Sequence, residues 1–299
     1  MSTPTEESWR EHPSTYFIQD RSNRDELRRL ALQDQLITTS MGGVLPEQAE
    51  PERLRQVLDV GCGTGGWLIE VAKAYPNTSL LIGADVSKYL VDYAREQAKV
   101  QQLSARVEFH VMDALRMLEF PSNFFDLVNL RFAIGYMRTW DWPKLLQEFQ
   151  RVARPGGIIR LTESEVVTGS NSVSLMRPQE LGVQALHQAG HAFYARSDGL
   201  LSEIPQLLRR HGFEQIQTRF YELGYRANTP DGQLFIEDMK LVTRLGVHFL
   251  RKWIRLPDDY EETYQQAQID MERPDFIATF KLLTVWGQAS VRRRERAFR

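Results

Sequence analysis

The residues with most to offer chemically are three aspartates and a run of alternating glycines. In Asp59-Val60-Gly61-Cys62-Gly63-Thr64-Gly65 a carboxylate stands just before backbone that can turn sharply and lie flat against a ligand. A carboxylate there repels a pyrophosphate but suits a ligand bearing an amino group and a sulfonium. Asp85 follows Gly61 by 24 residues, near the spacing at which an acid accepts the two hydroxyls of a ribose, and it can also cap the next helix. Asp113, in Met112-Asp113-Ala114, stands just after a further run that alternates as a strand.

Strands and helices must bring these groups together. The run Gln56-Val57-Leu58 reads as a strand buried on both faces, and the apolar pattern resumes with helical spacing at Trp67, Leu68, Val71, Ala72 and Tyr75. Leu80 to Ala84 repeats the strand pattern and ends on Asp85. Ser87 to Gln102 carries a helical stripe at Leu90, Val91, Ala94 and Ala98. Arg106 to Val111 alternates as a third strand, and Phe124 to Leu130 is a fourth. Trp142 to Ala153 is an amphipathic helix that stops at Arg154-Pro155-Gly156-Gly157 before the strand Ile158 to Thr162.

This succession, with its Asp-Val-Gly-Cys-Gly-Thr-Gly signature, resembles the class I S-adenosylmethionine-dependent methyltransferases of the small-molecule type. The resemblance covers residues 54 to 164 well. It implies an α/β, Rossmann-like sheet of seven mostly parallel strands with an antiparallel last strand, and S-adenosylmethionine as cofactor. It further implies a cofactor-binding set of Asp59, Gly61, Cys62, Gly63, Gly65, Asp85, Val86, Met112, Asp113, Ala114, Asn129 and Leu130. Asn129-Leu130-Arg131-Phe132 should edge the reacting centre, since ligands gather at the carboxyl ends of parallel strands. Members that methylate nucleic-acid bases or protein amides often carry Asp/Asn-Pro-Pro-aromatic there; the prolines are missing here.

Outside that core the expected organisation is an N-terminal tail and helical lid over residues 1–50, the cofactor-binding core over 51–222, a helical cap over 223–275, and a last strand with a basic tail over 276–299. The first 13 residues read as disordered, a helix follows from Ser22, and Met41-Gly42-Gly43 ends it. Gln179 to Tyr194 and Leu201 to His211 read as helices, Gly212 to Tyr221 as a strand, and Ala278 to Gly287 as the last strand. Arg292 to Arg299 reads as a frayed, solvated tail.

The catalytic group stays open, with Tyr136 and His191 as candidates. His187 and His191, four apart on the expected helix, share a face and are read against the blander alternative of two helix-surface histidines. Tyr16, Phe17, Arg131, Tyr136 and His187 are candidate substrate contacts, each with core packing or a salt bridge as its alternative. Glu163 and Glu165 lie after a strand without the clustering a metal needs, and no metal is expected.

The chain has 299 residues, 37 basic against 39 acidic, 42% hydrophobic and 25% charged. That near-neutral balance gives no reason to expect a nucleic-acid partner. The single cysteine, Cys62, suits a reducing compartment, and the lack of a leader or spanning segment suits the cytoplasm; a homodimer is left open. The expected activity is methyl transfer to an oxygen, nitrogen or carbon of a small, aromatic or secondary-metabolite acceptor. The rivals are a protein or tRNA substrate for the same cofactor, and a non-catalytic cofactor-binding scaffold or regulator.

Overall fold

The computed structural model describes residues 16–18, 24–167 and 169–290. The expectations for the first 13 residues, the helix start at Ser22 and the Arg-rich end lie outside them. Helix α1 (Arg24–Ser40) comes first. It stops where Gly42 and Gly43 adopt positive φ and their N–H groups donate to the carbonyls of Thr39 and Thr38, a double bond pattern that satisfies the last orphan carbonyls.

The sheet is built from β1 (Gln56–Val60), β2 (Leu80–Asp85), β3 (Val107–Val111), β4 (Phe125–Arg131), β5 (Ala153–Ser164), β6 (Gly169–Ser170), β7 (Glu214–Arg226) and β8 (Ile277–Gln288). Neighbouring strands run β3-β2-β1-β4-β5-β8, and β7 lies along the far side of β8. The pairs from β3 through β5 are parallel, whereas β8 is antiparallel to β5, β6 and β7. The antiparallel strand is thus the last in sequence, as expected. Among the described residues the count is eight instead of seven. The addition is β6, where the chain drops back onto Ala278 and Thr279 of β8 beyond the end of β5.

Helices α2 (Gly66–Ala74) and α3 (Lys88–Val100) cover one face, packing Trp67, Leu68, Val71, Val91 and Ala94 on Val57, Leu81 and Leu127. Helices α4 (Trp142–Val152) and α6 (Ile204–Arg210) cover the other, with Leu145, Leu146, Phe149, Leu207 and Leu208 against Leu58, Val128, Ile159 and Leu161. Two more helices, α7 (Pro230–Trp253) and α8 (Tyr260–Met271), are inserted between β7 and β8. They join α1 over the other half of β8 through Leu36, Ile37, Phe235, Met239, Met271 and Leu282. Among the described residues no helix is long and apolar enough to cross a membrane.

One helix departs from its sequence reading. Helix α5 spans Val173–Gln188, not Gln179 to Tyr194. Its start is fixed by Ser172, whose hydroxyl accepts from the Leu175 N–H at 3.0 Å, and Pro178 is tolerated inside. Its end is fixed by Gly190 at φ 81°: the Gly190 N–H donates to His187 and the His191 N–H to Leu186, at 3.0 and 2.8 Å. The apolar spacing that ran on to Tyr194 belongs to a compact loop. His187 and His191 therefore share no helix face.

Candidate functional site

The carboxyl ends of β1, β2 and β4 converge on the glycine loop. Gly61, Gly63 and Gly65 all take positive φ (68°, 53° and 75°), a region that glycine enters without steric cost. A Cβ on Gly63 would meet nothing within 4 Å, so the loop keeps an open face there. At Gly65 the demand is packing, because a Cβ would lie 2.6 Å from the Phe109 ring and 2.8 Å from Ala94. Cys62 packs inward toward Gly83 and Phe109, and burial pushes its thiol well up, with Asp85 and Asp59 adding to the effect. Its side chain serves the core, and its backbone is what faces the loop.

Asp85 closes β2 beside this loop. Its carboxylate accepts from the Gly63 N–H at 3.0 Å and from the Ser87 N–H at 2.8 Å, which fixes its position while leaving it half-buried. Val86 next to it is 48% exposed, an apolar surface of the kind a nucleoside ring can cover. Met112 donates its N–H to the Asp85 carbonyl at 2.8 Å, which brings half-buried Met112, Asp113 and Ala114 to the same edge. Asp113 accepts from the Leu115 N–H at 2.9 Å. An open glycine bend, a pinned acid and a second acid one strand further on fit the ribose and adenine of S-adenosylmethionine.

Asp59 heads a buried polar row that sequence reasoning did not find. Asp59 pairs in register with Asn129 across β1 and β4, and Asn129 with Arg160 across β4 and β5. Asn129 donates to Asp59 at 2.7 Å and accepts from Arg160 at 2.9 Å; Arg160 then donates to Glu47 at 2.7 Å. Burial pushes the Asp59 carboxyl up to about 7, against the pull of the Arg131 guanidinium and the Asn129 hydrogen bond. Asn129 is wholly buried, and Leu130 at 1% exposure lies in the opposite core. The side chains of both are committed to the interior, so only their backbone faces the crevice edge.

Arg131, a candidate substrate contact with a salt bridge as its alternative, is already engaged. It is ion-paired with Asp34 of α1 and lies over the Trp67 ring at 5.6 Å, tying the first helix to β4. His187 is exposed on the last turn of α5, its Nδ1 3.2 Å from the Ala192 carbonyl.

The remaining candidates form a roof. Phe132 adopts a left-handed conformation at φ 55° and starts the tight turn 133–135 that delivers Tyr136. A Cβ on Gly61 would collide with the Tyr136 hydroxyl, so that phenol lies directly over the loop. Burial pushes it well up, and the Asp85, Glu163 and Asp59 carboxylates add to the effect. The Phe17 N–H donates to the Gly135 carbonyl at 2.9 Å, its ring lies against Gly135 and Gly246, and it meets Phe249 edge-on at 6.4 Å. The Tyr16 hydroxyl donates to Glu26, which Arg29 also holds at 2.7 Å.

His191, 1% exposed, meets Phe249 edge-on and keeps its Nδ1 2.7 Å from the Ile134 carbonyl. A carbonyl only accepts, so Nδ1 carries the proton and Nε2 is the basic nitrogen. Burial holds the imidazole below its ordinary value, hence neutral. Among the described residues no cluster of three or more metal-ligating side chains occurs.

With this geometry in view, the comparisons with known proteins are decisive for the core. Residues 57–157 match the family model of a methyltransferase domain. Over these residues the chain resembles the class I S-adenosylmethionine-dependent methyltransferases. Over 109 residues it is 39% identical to the demethylmenaquinone methyltransferase of Deinococcus radiodurans, covering 36% of this chain and 43% of that protein. Over 132 residues it is 36% identical to the ajmaline N-methyltransferase of Rauvolfia serpentina, covering 44% of each. The chain thus spans less than half the length of either relative. The fold of the methyltransferase domain and its additions resembles that of phosphoethanolamine N-methyltransferase 2 of Haemonchus contortus, solved with S-adenosylhomocysteine. The TM-score there is 0.55 at 18% identity, over 92% of this chain and 60% of that one.

Proposed function

We propose that this methyltransferase domain, with its helical additions, moves a methyl group from S-adenosylmethionine to a small, largely apolar acceptor held beneath the roof of Phe17, Tyr136, His191 and Phe249. The observation that carries the reading is Asp85 pinned by the Gly63 and Ser87 amides beside an open, positive-φ glycine loop. Asp85 would receive the ribose hydroxyls, Asp113 and the Met112 backbone the adenine, and Asp59 the positive end of the amino-acid portion. Bound S-adenosylmethionine supplies a methyl group activated by its sulfonium. The protein's own work is then alignment, exclusion of water and acceptance of a proton.

The acceptor class rests on the chemistry of those roof side chains. Aromatic edges from Phe17, Phe249 and Trp253, a neutral imidazole and the Tyr136 phenol suit a planar or polycyclic molecule better than a charged one. The two curated relatives, named for a quinone precursor and an alkaloid, support the same direction. Helix α1 and the inserted helices α7 and α8 would close over that acceptor, and the single cysteine suits work in the cytoplasm.

The test has two stages. Calorimetry should detect both S-adenosylmethionine and S-adenosylhomocysteine, and D85N should weaken both by about tenfold or more through the lost charge-assisted hydrogen bonds. Radiolabelled methyl transfer onto a panel of hydroquinones, phenols and alkaloid amines should then give labelled product. Binding without product across that panel would favour a scaffold, and no binding at all would end the reading.

A further inference from the structure

Among the described residues, Glu163 is the one buried acid at the ligand edge for which the sheet supplies no cationic partner. It is 1% exposed, next to last in β5, and in register with Leu283 of β8. One carboxyl oxygen accepts the Ala133 N–H, and the Ile134 N–H also bonds to this carboxyl. The other oxygen, Oε2, is buried with no hydrogen-bond partner among the described residues. An orphaned carboxyl oxygen in a dry site is costly, and such a cost persists where function uses it.

Its surroundings point the same way. The turn that holds Glu163 is the one that delivers Tyr136 over Gly61, and the Tyr136 phenol feels Asp85 and Glu163 together. Glu163 therefore borders the crevice on the side of the glycine loop. The titratable groups around it are that phenol and the neutral imidazole of His191, which bonds the carbonyl of the same Ile134 peptide. Neither offers it a positive charge.

We propose that Glu163 is the catalytic proton acceptor of the transfer reaction, armed by the positive charge of the bound cofactor and serving acceptors that react through an O–H or N–H group. The proposal rests on the methyltransferase reading above. As the acceptor's oxygen or nitrogen gains the methyl group and the carbon–sulfur bond breaks, the acceptor's proton passes to Glu163 Oε2. The charges balance: sulfonium and carboxylate become thioether and carboxylic acid, so no net charge is left in the dry site.

The physical support is a matter of timing. Burial pushes the Glu163 carboxyl up to about 8, against the pull of the Ala133 and Ile134 amides, so it is protonated at neutral pH in the free protein. A sulfonium nearby favours the ionised form and brings the group into the range where a general base works. Once the methyl has moved that cation is gone, and the carboxyl regains its preference for a proton. Base strength thus rises before transfer and falls after it.

The ligand pair separates this carboxyl from the other acids. S-adenosylmethionine and S-adenosylhomocysteine share the ammonium, but only the first has the sulfonium. Titration of each at pH 7 in buffers of different ionisation enthalpy should show S-adenosylmethionine releasing roughly half a proton or more beyond S-adenosylhomocysteine. That arm needs no variant. In E163Q, whose side-chain oxygen still receives the two amides, the difference should vanish while both ligands still bind. With the acceptor that the panel identifies, E163Q should lower kcat by about 100-fold and leave the affinity for S-adenosylhomocysteine, which lacks the sulfonium, within about twofold. Equal proton release by the two ligands in the wild type, or wild-type kcat in E163Q, overturns the proposal. Failure of both ligands to bind instead overturns the methyltransferase reading, and the proposal with it.

Discussion

Asn129 has its orientation imposed by both neighbours. Arg160 can only donate, so the amide oxygen must face it, and the amide nitrogen then faces Asp59. The row fixes the Asp59 carboxyl two residues before Gly61 while burial keeps it reluctant to ionise. Its folded value, about 7, lies above the ordinary carboxylate value of 3.8. The stability this group contributes is therefore complete below about pH 4 and is lost as pH rises through about 7, because the folded state is the one that holds the proton. D59N, whose oxygen can still accept from Asn129, should remove that slope. Denaturant titrations at pH 5 and pH 8 should find the wild type losing about 2 kcal/mol more than the variant between the two. An equal loss in both would show that Asp59 does not titrate there. At this scale the sequence exposes what is local. Asp59, Gly61, Gly63 and Asp85 are legible because the loop itself demands them. The partnership of Asn129 with Arg160, and the isolation of Glu163, depend on strand register and on a turn from another strand, which no local pattern encodes.

Elements show the same division between near and far. The stop of α1 is readable, since Met41-Gly42-Gly43 is followed by no competing apolar spacing. The stop of α5 is hidden, since Leu186, Ala189, Phe193 and Tyr194 continue a plausible stripe past Gly190. What decides it is the positive φ of Gly190 together with Trp140, whose ring would lie 2.5 Å from a Cβ there. G190A should therefore cost about 2 kcal/mol or more in denaturant unfolding, while G182A, inside α5 with only Val166 at 3.8 Å, should be neutral or slightly stabilising. A comparable cost at both positions would rule out the helix-stop explanation. The joint between α1 and α7 is equally invisible to periodicity. Glu26, Arg29 and Asp238 are each at most 3% exposed, with Arg29 bonded to Glu26 at 2.7 Å and to Asp238 at 3.4 Å. Removing the cation strands two buried acids, so R29L should destabilise by about 3–5 kcal/mol. R29L with E26Q and D238N should recover a good part of that loss; if the triple variant is as unstable as R29L, packing and not charge holds the joint.

Across the whole molecule the buried acids act in concert. Burial pushes Asp238 up to about 6, Asp59 to about 7 and Glu163 to about 8, so all three hold protons more tightly folded than unfolded. The unliganded protein should thus be most resistant to heat in mild acid and should lose resistance steadily toward pH 8. Two of these acids border the crevice in which a ligand carrying a sulfonium and an ammonium is proposed to sit. Below pH 6 both are protonated and give little back to that ligand, whereas near pH 8 their ionised forms and the ligand's charges reinforce one another. The stabilisation by S-adenosylmethionine should consequently grow with pH while the intrinsic stability falls. A tenfold gain in affinity between pH 6 and 8 adds about 1.4 kcal/mol at fixed ligand excess, roughly 2 °C more upward shift in Tm for a chain of this size. S-adenosylhomocysteine, which keeps the ammonium but lacks the sulfonium, should gain less over the same range. Thermal melts with each ligand at both pH values check this. A shift that is constant or shrinks with pH would mean that the buried acids do not face the ligand's charges, and the electrostatic account of the crevice would have to be abandoned.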